Sequence, residues 1–164
     1  MPKGKIHLRG LSMKSANKIT LIVSRVLVWL VIAAIVALAF TTPCITDFYI
    51  DHISRIDAAA ALRTPTIVFV YIALVPAFIA AVALARLLGN ISKDKVFIKQ
   101  NVTLLRVIYL SCFADAAVFF GFGFFYILSF CLAFVALFIG VMLRVVMNLI
   151  AQAVDIKAEN DYTI

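Results

Sequence analysis

Charge is scarce in this sequence. Only 14% of its 164 residues are Asp, Glu, Lys or Arg, against about a quarter in an ordinary soluble domain. Histidine occurs twice, cysteine three times and tryptophan once. His7 and His52 flank a long apolar stretch and fall on opposite sides of it. No His/Cys set therefore has metal-ligand spacing. Cys44 stands alone between apolar stretches, while Cys112 and Cys131 lie inside them, which suits packing thiols better than a disulfide. No serine sits in a nucleophile motif. These shortages exclude a disulfide scaffold and a charged disordered tail. They lead us to expect no enzyme activity, no metal and no cofactor.

What is abundant is apolar surface: 65% hydrophobic residues and a mean hydropathy of +1.12. An 18.1 kDa chain has too little interior to hide that much from water. A bilayer core about 30 Å thick takes roughly 20 apolar residues per helix. Four stretches qualify, near 19–40, 65–88, 104–122 and 126–150. The first exceeds the roughly 7–15 residues of a signal-peptide core, so it reads as a retained helix. The expected fold is an all-α integral membrane protein, one membrane domain with four transmembrane helices in an antiparallel bundle. Residues 1–18 form a basic tail, 41–64 an external loop, 89–103 a second loop and 151–164 an acidic tail. In the external loop Tyr49, Ile53, Ile56 and Ala60 share a helical face, and Asp51 and Arg55 form an i,i+4 pair. A short amphipathic helix on the outer surface is expected there.

The net charge is +7. Lys3, Lys5, Arg9, Lys14, Lys18, Lys93, Lys95, Lys99 and Lys157 fall on one side of the four spans, and Arg55 and Arg63 on the other. Basic residues concentrate in short loops on the cytoplasmic side, so both termini are expected inside. The remaining Arg25, Arg86, Arg106 and Arg144 lie in the inner halves of their spans. Nucleic-acid binding would need a basic surface with base-stacking aromatics. Here the phenylalanines lie within the spans, so no direct DNA or RNA binding is expected and the bilayer is the first partner.

Small residues every fourth position allow close helix approach in lipid. Ala77, Ala81 and Ala85, then Ala33 and Ala37, then Ala136 and Gly140 form such rows. They suit packing within the chain or a homo-oligomer face. Pro76 removes one backbone hydrogen bond in mid-span and predicts a kink. An ionisable group inside a membrane is expensive and needs a partner or water. Depth counted from the span ends puts Asp115 near the midplane and Arg144 within about 7 Å of it. Their side chains lean toward each other, predicting an Asp115–Arg144 pair with Asn148 one turn away.

The second loop reads Lys95-Val96-Phe97-Ile98-Lys99-Gln100-Asn101, followed by Leu104-Leu105-Arg106-Val107-Ile108, and the chain closes Glu159-Asn160-Asp161-Tyr162-Thr163-Ile164. This resembles a family of small bacterial four-span proteins, domain of unknown function 2975 (DUF2975). Its pattern is V-F-x-x-x-N between spans two and three, then L-R-x-I, then an acidic E-x-D-L-T-[VI] ending. Lys95 stands where a glycine is common, and Tyr162 replaces the leucine. The resemblance implies a multi-pass protein of the bacterial cytoplasmic membrane with no established activity. It also implies a neighbouring small helix-turn-helix regulator. On the residues themselves, Val96 and Phe97 are expected to dock on the span ends, with Asn101 capping the third helix beside Arg106. The segment Glu159, Asp161, Tyr162, Thr163, Ile164 reads either as pairing with the basic loop or as a docking tail for a cytoplasmic partner. Two functions remain: a regulatory or sensory membrane protein, and an accessory or immunity component of a transport system for a peptide or small molecule.

Overall fold

Backbone amides in hydrocarbon must be satisfied within their own segment, which leaves helices as the economical way for an open chain to cross. The computed structural model describes residues 3–52, 62–93 and 95–161, with side chains for 19–49, 62–93 and 95–159. Four helices make up nearly all of it: α1 (Lys3–His52), α2 (Arg63–Ile91), α3 (Lys99–Phe122) and α4 (Leu128–Asp161). All four are long and apolar enough to cross a membrane. The protein is an all-α, multi-pass membrane protein.

The helices extend past the expected spans. α1 takes in most of the basic tail and the start of the external loop, and continues through Pro43. α4 takes in the acidic segment as far as Asp161. The expected surface helix is thus in part a continuation of α1, while Ile53, Arg55, Ile56 and Ala60 lie outside the described residues. Tyr162, Thr163 and Ile164 also lie outside them. α2 runs as one element through Pro76.

Each helix packs on its neighbour in sequence: α1 on α2, α2 on α3 and α3 on α4. The start of α1, the end of α4 and the α2–α3 loop share one end, here the terminal face. The α3–α4 turn lies at the other, the turn face. Large apolar side chains point outward, as lipid contact requires: Trp29, Phe40 and Phe134 are all well exposed. The buried cluster is small and lies toward the terminal face, comprising Ala83, Leu87, Leu105, Ile108 and Met147. α4 turns a seam inward through Ser129, Ala133, Gly140, Met147 and Val154. Its main spacing is seven residues, the coiled-coil-like repeat of closely packed helices. Gly140 is required there, because a Cβ would stand 2.7 Å from the Phe113 ring. Ala33 and Ala37 are exposed, so of the two readings of that row the structure does not support packing within the chain.

Side-chain contacts fix the register between neighbours. Asp47 meets Arg63 and Ala39 meets Tyr71 across α1 and α2. Phe69 stacks on Phe122 at 5.0 Å and Asn90 bonds Asn101 across α2 and α3. Cys112 approaches Gly140, and Leu105 clusters with Met147, across α3 and α4. One step forward on a helix therefore matches one step back on its neighbour, so any residue can be placed at a depth.

Candidate functional site

The turn face holds a cavity of about 410 Å³ framed by α1, α2, the α3–α4 turn and the start of α4. Its walls are mainly apolar, including Leu38, Val70, Phe122 and Leu132, with Thr42, Thr46, Thr66, Tyr126 and Ser129 among the polar positions. Thr42 and Thr46 are buried, and their hydroxyls donate to the backbone one turn earlier, to Leu38 O at 2.6 Å and Thr42 O at 2.8 Å. With those protons spent, the two oxygens keep only acceptor capacity. Thr66 and Tyr126 lie 3.4 Å apart and share one proton, so the couple retains one hydroxyl hydrogen. The cavity therefore suits a mostly apolar guest carrying a polar atom.

Two features shape this end. Pro43 lacks an N–H, so the Ala39 carbonyl one turn back loses its helical donor. The Tyr71 hydroxyl supplies a replacement at 2.9 Å and ties α2 to α1. Below the turn, Phe69 stacks on Phe122, and Phe122 lies 5.0 Å from Tyr126, forming an aromatic floor. At the rim Arg63 makes a two-pronged bond to Asp47, with its second contact at 3.0 Å. Both side chains are nearly half exposed, so the pair fixes geometry more than it stabilises.

The terminal face carries the loop motif, and Asn101 there does more than a cap. It is 1% exposed and lies inside α3, whose N-cap is Ile98 in an extended conformation without a side-chain cap. The Asn101 amide nitrogen donates to Lys95 O at 2.7 Å and Val96 O at 2.8 Å. Its oxygen accepts from Asn90 Nδ2 at 2.8 Å. This side chain therefore binds the loop, α2 and α3 together, where capping alone was expected. Val96 is half-buried, whereas Phe97 is 48% exposed and does not dock on the span ends. Arg106 is exposed. On α4, Glu159 is exposed and Asp161 ends the helix.

The expected Asp115–Arg144 pair does not form. Asp115 lies three residues past Cys112 toward the turn face, and Arg144 four residues past Gly140 toward the terminal face. They are separated by about 10 Å in depth, too far for their lean to bridge. Arg144 and Asn148 are both exposed. Asp115 Oδ1 is shielded and has no hydrogen-bond partner among the described residues. Register puts Asp115 level with Pro76 instead. Among the described residues no group of three metal-ligating side chains occurs, and Cys44, Cys112 and Cys131 are unpaired.

Sequence reasoning missed the cavity residues Thr42, Thr46, Thr66, Tyr126 and Ser129. Pro43 flanked by Thr42 and Thr46, one helical turn apart, was the available signal. The family described as protein of unknown function (DUF2975) matches residues 47–164. No curated protein and no solved structure matches the chain.

Proposed function

The chain belongs to the DUF2975 family, and from that premise we propose that it is a non-catalytic regulatory membrane protein. In this reading the turn-face cavity receives a small, mainly apolar molecule. Its occupancy is then reported at the terminal face to a small cytoplasmic helix-turn-helix regulator. The single observation that carries the reading is the cavity of about 410 Å³, apolar with a few hydroxyls, the usual character of a small-molecule site. The bias of lysines toward the loop and tails of the terminal face supports a cytoplasmic location for that face, in a bacterial cytoplasmic membrane. The end of α4, with Asp155, Ile156 and Glu159 exposed, is the proposed docking element, continued by Asp161, Tyr162, Thr163 and Ile164.

Affinity purification in mild detergent tests this. The full chain is compared with a chain lacking residues 155–164 and with the cavity-filling variant Thr46→Leu. We expect a helix-turn-helix protein to copurify with the full chain, to be lost on truncation and to change in yield when the cavity is filled. Recovery of no DNA-binding protein with the full chain, or equal recovery after truncation, overturns the reading. If Thr46→Leu abolishes resistance to a membrane-active peptide without touching any such partner, the accessory or immunity role replaces it.

A further inference from the structure

Arg25, Arg86, Arg106 and Arg144 are far apart in sequence, one on each helix. The observed register brings them to one depth. Stepping back from the Asp47–Arg63 and Ala39–Tyr71 contacts sets Arg25 level with Ala85, one residue from Arg86. Stepping from the Phe69–Phe122 and Asn90–Asn101 contacts sets Arg106 level with Ala85 too. The α3–α4 register sets Arg144 level with Ile108, and so with Ala83. The four Cα atoms thus fall within a band about 5 Å deep at 1.5 Å per residue. All four side chains are exposed, and among the described residues none has a carboxylate partner.

The depth of this band is itself informative. The Asp47–Arg63 pair marks the turn-face boundary, and Arg63 lies about 33 Å from Ala85 along α2. That matches the roughly 30 Å of a bilayer hydrocarbon core. The arginines therefore ring the protein where phosphates of the leaflet next to the termini reside. Two grooves meet the ring. Between α2 and α3, Arg86 ends a slot of about 240 Å³ walled by Phe78, Ile79, Val82, Leu104 and Val107, which runs from the ring toward the midplane. Between α1 and α2, Arg25 borders a hollow of about 260 Å³ with Leu21, Ile22, Leu88 and Ser92, running the other way into the headgroup layer. Arg25 Nη2 is 3.7 Å from where a Gly89 Cβ would stand, so the guanidinium lies over the end of α2.

A cation at the mouth of an apolar slot matches one kind of occupant, a phosphate joined to an acyl chain. The planar guanidinium also binds phosphate through two donors. We propose that the arginine ring is a binding site for anionic phospholipids of the leaflet beside the termini. Arg86 holds one headgroup over the α2–α3 slot and Arg25 another in the α1–α2 hollow, while Arg106 and Arg144 add positive charge at the same depth. The function proposed above does not require this site, and each reading can fail alone.

Native mass spectrometry of the full chain, released from micelles containing phosphatidylglycerol or phosphatidylcholine, tests the proposal. R86Q, R106Q, R25Q and their combination are compared with the triple loop variant K93Q/K95Q/K99Q. Each arginine removed should weaken phosphatidylglycerol retention by roughly fivefold, equivalent to about 1 kcal/mol per basic group near the surface. Phosphatidylcholine binding should change little. The variants R86K and R106K, which keep the charge, should recover part of the retention, separating binding from folding. Equal retention of phosphatidylglycerol by wild type and the combined arginine variant overturns the proposal. So does an equal or larger loss in the lysine variant, which would assign the lipid to the loop.

Discussion

The two ends of this bundle are built differently. At the terminal face apolar side chains interlock, Ala83, Leu87, Leu105, Ile108 and Met147 are buried together, and Asn101 uses its whole amide to hold the loop. At the turn face the helices leave a cavity of about 410 Å³, where Thr42 and Thr46 bond to their own helix and Thr66 and Tyr126 meet across the wall only at a long 3.4 Å. Bonds within one helix do little to fix its distance from another, whereas interlocked side chains do. The terminal half is the more closely packed, and the turn half holds open space. Asp115 lies between them, with an oxygen that no described residue of either half satisfies.

Substitutions that weaken only one half would break or sharpen this contrast. The largest effect is expected at Asn101. Asn101→Ala removes three hydrogen bonds and leaves the Asn90 amide and two loop carbonyls short of partners. The expected loss is about 2–4 kcal/mol in reversible unfolding from micelles. Leu105→Ala should cost a comparable 2–4 kcal/mol, because a side chain only 4% exposed leaves a void. Asp115→Leu should move the other way. Removing a shielded oxygen that has no partner among the described residues should stabilise the protein by about 1–3 kcal/mol, read in the same titration. A loss of stability there would mean that Asp115 has a partner and that the boundary between halves is misplaced. At the turn face Tyr71→Phe deletes only the donor to Ala39 O and should cost about 0.6–1 kcal/mol. The smallest effect belongs to Arg63→Gln. Its pair with Asp47 is nearly half exposed on both sides, so the midpoint should barely move, and what shift there is should fade with added salt.

Much of the fold was legible because lipid simplifies the rules. Runs of apolar residues near 19–40, 65–88, 104–122 and 126–150 each lie within a helix or its immediate approach, since hydrocarbon leaves the backbone few alternatives. The candidate site was much less legible. Asp115 and Arg144 looked like partners while depth was counted from the span ends, and a register offset of a few residues separated them. Asn101 was singled out for the right neighbourhood but the wrong task. Sequence spacing shows that an asparagine opens a helix, and does not show that Asn90 faces it across a loop. The cavity left only the Thr42, Pro43 and Thr46 spacing as a mark, because threonines bonded within their own helix look no different in sequence from threonines exposed to lipid.

By itself the sequence determined the number of crossings, the all-α class and the concentration of lysine on one side. Those follow from local hydropathy and local charge, which need no knowledge of neighbours. Only the tertiary structure decided which residues share a depth. Antiparallel helices can slide along one another without changing their apolar patterns, so register is set by particular side chains, such as Phe113 against Gly140 and Phe69 against Phe122. That register separated Asp115 from Arg144, opened the cavity under the turn and brought four scattered arginines to one level.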